Sequence, residues 1–216
     1  MLVTILCLLV SMIIAYLLGS VNFALIITKG FAHKDIRSCG SGNAGMTNVL
    51  RTLGKGPAAL TLLGDFSKGL FAVLIARALF VFVAKQPDFF VGEYLCAFCG
   101  LLGHCFPVFF GFKGGKGILV SAGALIALSP LSFAFCLAAF LIGTLLTKYV
   151  SVGSIAAAVT FPVAVLMIRL IGKYPHPYLE ASMALLIGGI VIFMHRANIK
   201  RLIRGEENGF GKKKKS

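Results

Sequence analysis

Three polar segments of this 216-residue chain hold the residues whose types and spacing could do chemistry. The first reads Cys39-Gly-Ser-Gly-Asn-Ala-Gly-Met-Thr-Asn-Val-Leu-Arg51. Glycines let backbone N–H groups come close to an oxygen, Ser41 and Thr47 offer hydroxyls, Asn43 and Asn48 offer amides, and Arg51 offers a planar fork of donors. That is the composition of an anion site, and phosphate is its natural guest. The plainer alternative is a polar turn with a helix N-cap. Gly40, Gly42 and Gly45 also fit G-x-G-x-x-G, but an apolar, membrane-type run precedes them where a dinucleotide site needs a buried strand.

The second segment runs from Gly103 through His104 and Pro107 to Phe112-Lys-Gly-Gly-Lys-Gly117. Lys116 follows Gly114 and Gly115 at an expected helix start, where the dipole and free N–H groups already favour an anion. It is not a Walker A loop, because Gly111 stands five positions before Lys116 where six are needed, and no Ser or Thr follows. The third is His195-Arg-Ala-Asn-Ile-Lys-Arg-Leu-Ile-Arg-Gly-Glu-Glu207. At helical spacing His195 and Asn198 share a face, and Lys200 and Arg201 extend the positive surface. Arg196, Lys200 and Arg204 also serve the simpler role of stop-transfer cations, which His195 and Asn198 do not.

The elements that must position these segments are membrane helices. Hydrophobic residues make up 58% of the chain and mean hydropathy is +0.95, so the bilayer is its main solvent. Apolar runs of the required length, about 20 residues, predict an all-α polytopic protein. Its seven expected spans lie near residues 3–27, 57–83, 89–110, 117–129, 131–148, 152–171 and 177–194. The fourth is too short unless the preceding glycines lie partly inside the fold. Residues 2–27 lack a basic start and run too long for a signal peptide, which makes them the first span. Seven spans put Lys29, Lys34, Arg37, Arg51, Lys55, Lys113, Lys116, Lys148, Arg196, Lys200, Arg201 and Arg204 on the side of the C-terminus. Only Lys85, Arg169 and Lys173 fall on the other. By the positive-inside rule the C-terminus is cytoplasmic and the N-terminus outside. One membrane-embedded domain is expected over residues 1–211, with 212–216 a basic tail.

Asp65 and Lys68, inside the second expected span, are spaced to pair within the bundle, because a lone charge at mid-bilayer costs about 2.5 to 3.5 kcal/mol. Cys96 and Cys99 form a C-x-x-C pair in an apolar run and read as core packing. The seven acids, out of 28 charged side chains, do not cluster into a carboxylate cage for metal, and no G-x-S-x-G elbow is present. No His is followed five positions later by Asp, the arrangement one large acyltransferase class uses to activate an alcohol.

At Gly40-Ser-Gly-Asn-Ala-Gly-Met-Thr-Asn with Arg51, at Gly103-His-Cys-Phe-Pro with Phe112-Lys-Gly-Gly-Lys-Gly117, and at His195-Arg-Ala-Asn-Ile-Lys-Arg-Leu with Gly205-Glu206, the chain resembles the bacterial acyl-phosphate:glycerol-3-phosphate acyltransferases. These are membrane enzymes of phosphatidic acid synthesis. The resemblance implies attack of the 1-hydroxyl of glycerol 3-phosphate on an acyl phosphate, giving lysophosphatidic acid and phosphate, with a substrate phosphate taking the proton. It implies that Ser41, Arg51, Lys116 and Asn198 bind the glycerol-3-phosphate phosphate and that His195 orients its hydroxyls. Gly42, Asn43, Gly114 and Gly115 would hold the second phosphate. Among these, His195, Lys116, Arg51 and Asn198 are the expected catalytic residues, and Gly45, Thr47, Asn48, His104, Arg196 and Arg201 complete the expected substrate-binding surface. Neither metal, cofactor nor nucleic acid is expected. The setting implied is the bacterial inner membrane with a cytoplasmic active site, coupled to the soluble enzyme that makes acyl phosphate. A transporter of a phosphorylated small molecule is the competing reading, disfavoured by the absence of a visible repeat.

Overall fold

The computed structural model describes residues 1–209, so the expected basic tail at 212–216 lies outside the described residues. Most of those residues are helical, with no strand among them. Contacts divide the chain into two compact units, which part after Leu128.

The first unit contains α1 (Leu2–Ser20), α2 (Phe23–Ala32), a 3-10 turn (Ile36–Ser38), α3 (Met46–Leu53), α4 (Lys55–Ala78) ending in a π turn (Leu79–Val83), α5 (Phe90–Cys105), a second 3-10 turn (Val108–Phe110) and α6 (Ile118–Leu128). Helices in lipid gain little from apolar burial against one another, so close backbone approach through small residues holds them together. α1 packs on α5, and a Cβ on Gly103 would strike the Tyr16 carbonyl. α4 packs on α6 in the same way, through Gly69 and Gly123. The expected first span is a broken helix. Val21 and Asn22 are extended, and the buried Asn22 side chain accepts from the Leu25 N–H at 3.1 Å to start α2. An N-cap residue inside an apolar run is the signal that the hydropathy reading passed over.

That break leaves backbone polar groups inside the fold, and the Asp65–Lys68 pair meets them. Lys68 Nζ lies 2.9 Å from Asp65 Oδ1 and donates to the Val21 carbonyl at 2.6 Å, while the Phe23 N–H donates to the Asp65 carboxylate. Both side chains are buried. The spacing of three thus serves a structural purpose that periodicity alone did not reveal.

The second unit contains α7 (Pro130–Thr147), α8 (Val150–Ile171), α9 (Pro177–Met194) and α10 (Arg196–Ile203). α8 packs against both α7 and α9, and Arg169 pairs with the buried Glu180 at 2.9 Å. Across both units six segments are long and apolar enough to cross a membrane: Leu2–Ala32, Lys55–Val83, Phe90–Phe110, Pro130–Thr147, Val150–Ile171 and Pro177–Met194. The expected fourth span is α6, whose 11 residues rise only about 16 Å against a hydrocarbon core of about 30 Å. Cys96 is fully buried and unbridged, as core packing requires.

The close helix crossing makes a direct prediction. Gly103→Ala forces a methyl into the Tyr16 backbone and should destabilise by about 1–3 kcal/mol, read as a lower thermal midpoint in detergent. Gly189→Ala, where nothing lies within 4 Å, should be neutral or slightly stabilising.

Candidate active site

The glycine segment after α2 is a built loop. Asn48, in the first turn of α3 and 1% exposed, points back into it. Its Oδ1 accepts from the Ser41 N–H at 2.9 Å, and its Nδ2 donates to the carbonyls of Ile36, Cys39 and Asn43 at 3.1, 2.9 and 3.1 Å. Gly40, at φ +56°, sits against that amide where a Cβ would collide with it. Asn48 was expected to touch substrate; its polar atoms are instead committed to the loop. Ser41 and Gly42 are left exposed, with Asn43, Gly45 and Thr47 half-buried and Arg51 exposed one turn further along α3.

The second segment folds back on the end of α5. The N–H groups of Gly114 and Gly115 donate to the carbonyls of Cys105 and His104, each at 3.1 Å. The amides expected to cradle a phosphate are therefore bonded within the fold. What demands glycine at 115 is close approach, since a Cβ there would collide with His104 Nε2 and stand 2.5 Å from the Ala44 carbonyl. The first two polar segments thus meet at Ala44 and Gly115, and Lys116 stands half-buried beside that junction, two residues before α6. A second tie went unread in the sequence. Arg37 is bidentate on Asp35, at 2.7 to 3.0 Å, and donates to the carbonyls of Phe110 and Lys113 at 3.0 and 3.2 Å. The Arg37 guanidinium holds the Asp35 carboxyl below the usual carboxylate range.

In the second unit His195, 3% exposed, lies between α9 and α10 with Nδ1 at 2.7 Å from the Val191 carbonyl. A carbonyl only accepts, so Nδ1 carries the proton, and in the neutral ring Nε2 is the acceptor. Asn198 and Arg201 converge on one carboxylate: Asn198 Nδ2 and Arg201 Nε each donate to Glu207 at 2.8 Å, and Ser151 Oγ donates to it at 3.2 Å. Glu207 had not been singled out. Its signal was Gly205, whose φ of +71° turns the chain back so that Glu207 faces α10. Arg196 is exposed; its guanidinium lies 4.5 Å from the Phe193 ring and donates to that residue's carbonyl. Of the expected site residues, Ser41 through Lys116 fall in the first unit and His195, Arg196, Asn198 and Arg201 in the second.

A family profile described as Glycerol-3-phosphate acyltransferase matches residues 9–205. The chain belongs to the glycerol-3-phosphate acyltransferase family. A glycerol-3-phosphate acyltransferase of Clostridioides difficile is 43% identical over 204 residues, covering 94% of this chain and 95% of that protein. One from Bordetella pertussis is also 43% identical, covering 94% and 91%. Among solved structures, PlsY, an integral membrane glycerol 3-phosphate acyltransferase crystallised in its glycerol 3-phosphate form, superimposes with a TM-score of 0.81 at 39% identity, covering 94% of this chain and 96% of that one. Its lysophosphatidic acid form gives 0.78 at 38% identity, covering 94% and 95%. The chain is accordingly an integral membrane acyltransferase.

In this acyltransferase the loop geometry hangs on one amide. Asn48→Ala would leave buried carbonyls and an N–H unpaired, at about 1–3 kcal/mol per orphaned group. Hydrogen-exchange mass spectrometry should find residues 36–45 exchanging at least about tenfold faster in that variant. Unchanged protection would show that the loop holds its shape without Asn48.

Proposed function

We propose that this acyltransferase moves a fatty acyl group from acyl phosphate to the 1-hydroxyl of glycerol 3-phosphate, releasing lysophosphatidic acid and inorganic phosphate. The observation that carries the reading is the junction at Ala44 and Gly115, which sets Lys116 beside the glycine loop that exposes Ser41. A cation and a hydroxyl, held by buried hydrogen bonds, are the elements that grip phosphate. Acyl phosphate is already activated and leaves as a stabilised anion. The protein then needs chiefly to position two phosphates and counter developing charge.

In this reading Ser41, Arg51, Lys116 and Asn198 bind the phosphate of glycerol 3-phosphate. The Nε2 lone pair of His195 accepts from a glycerol hydroxyl and so orients it, a role its Nδ1 bond to Val191 favours. Glu207 aligns Asn198 and Arg201 for that task. The loop around Gly42 and Asn43 receives the second phosphate, and a substrate phosphate takes the hydroxyl proton. Both units, as one domain over 1–211, serve the one reaction. The chain crosses the bacterial inner membrane seven times, the short α6 completing the count with the buried Gly115 and Gly117 before it, with its N-terminus outside and the phosphate-holding segments in the cytoplasm. The excess of Lys and Arg assigned to that side supports this orientation. A soluble enzyme that makes acyl phosphate supplies the donor.

Purified protein in detergent should release phosphate from palmitoyl phosphate only when glycerol 3-phosphate is added. Arg51→Ala, Lys116→Ala and Asn198→Ala should each lower kcat/KM by roughly tenfold to a hundredfold, the worth of one charge-assisted hydrogen bond. Wild-type rates in all three variants would overturn the site. Solute uptake by proteoliposomes without turnover would overturn the reaction.

A further inference from the structure

The buried cluster of Asp65, Lys68 and His104 takes one residue, His104, from the expected substrate-binding surface and places it inside the fold with Nδ1 on Lys68. Lys68 Nζ faces three partners: the Val21 carbonyl at 2.6 Å, Asp65 Oδ1 at 2.9 Å and His104 Nδ1 at 3.0 Å. An ammonium has three N–H donors and no lone pair. The Val21 carbonyl and His104 Nδ1 stand in hydrogen-bonding geometry and Asp65 Oδ1 at ion-pair distance, so an ammonium that can only donate meets His104 Nδ1 as an acceptor. A neutral imidazole that accepts at Nδ1 carries its proton at Nε2. That nitrogen abuts Gly115 at the spot bounded by the Ala44 carbonyl.

We infer that Lys68, anchored by Asp65, fixes His104 as the tautomer protonated at Nε2, and that this pair acts as positioning residues for the junction beside Lys116. With the proton at Nε2, a donor faces the place where the Ala44 carbonyl and the Gly114–Gly115 turn meet. The other tautomer would present a nitrogen lone pair at that spot in place of a donor. The same ammonium closes the break between α1 and α2 through Val21. One buried cation therefore links the kink of the first span to the loop that presents Lys116, three elements of the first unit that are distant in sequence. The kinetic consequence rests on the acyl-transfer reading, whereas the tautomer does not.

The experiment has two arms so that the two fail separately. Nitrogen NMR of protein labelled with 15N-histidine in micelles, with His104 assigned by the signal lost in His104→Gln, reads the tautomer in the unaltered enzyme. An imine-type Nδ1 and an N–H at Nε2 are expected; an N–H at Nδ1, or a doubly protonated ring, would overturn the inference whatever the activity. In Lys68→Met the preference for the Nε2 proton should be lost. Its KM for glycerol 3-phosphate should rise about tenfold, the worth of one misplaced hydrogen bond, with kcat within about threefold. If that variant does not fold, Asp65→Asn combined with Lys68→Met removes both buried charges together and gives the same readouts. A variant that keeps the Nε2 tautomer, or one that loses it with KM unchanged, would show that Lys68 serves packing alone.

Discussion

Backbone that is not helical cannot sit inside an apolar fold unless something bonds its N–H and C=O groups. In the first unit two such stretches occur, the break at Val21–Asn22 and the return of the chain from Cys105 to Gly117. Each is met by a polar side chain set deep in a neighbouring helix or by the helix's own end. Lys68 takes the Val21 carbonyl, Asp65 the Phe23 amide, and the carbonyls of His104 and Cys105 take the amides of Gly115 and Gly114. Asn48 does the same for the glycine loop above α3. For the groups set inside the fold at Val21, Phe23 and the Gly114–Gly115 turn these bonds are obligatory, since burial leaves no water to replace them, whereas the Asn48 bonds shape a loop whose Ser41 and Gly42 are exposed.

Function follows from the rigidity this imposes. A loop fixed by four hydrogen bonds presents Ser41 in one arrangement, so in the proposed reading little ordering would remain to be done when a phosphate arrives. The glycines therefore act in two ways that composition does not separate. Gly40 and Gly115 allow close approach within the fold, whereas Gly42 stays exposed on the loop. In the second unit Glu207 plays the part that Asn48 plays in the first: it is a buried acceptor on which Asn198, Arg201 and Ser151 are aligned.

Much of this was legible in the residues. Length and hydropathy located the six segments long and apolar enough to cross a membrane, and three motifs in order pointed to the family. The break in the first span was not legible, because a hydropathy window averages over the single residue, Asn22, that caps a new helix. The pairing of Asp65 with Lys68 was readable from spacing, but its purpose was not, since the Val21 carbonyl lies 47 positions away in the chain. Arg37 and Glu207 escaped notice for a related reason: each acts through a partner that only the folded path brings near. The division of labour between Asn48, which holds the loop, and Ser41, which the loop presents, is likewise a matter of burial, on which residue type is silent.

The reading depends most on both sets of motif residues facing the cytoplasm. Cys39 is native to the first segment and Glu206 is exposed at the end of the third. A chain keeping Cys39, with its other five cysteines replaced and Glu206→Cys introduced, can be probed with a charged maleimide that does not cross the membrane. Both positions should react in inside-out vesicles and neither in intact cells. Labelling of one position from outside and the other from inside would place the two segments in different compartments, and the proposed reaction would have no common site.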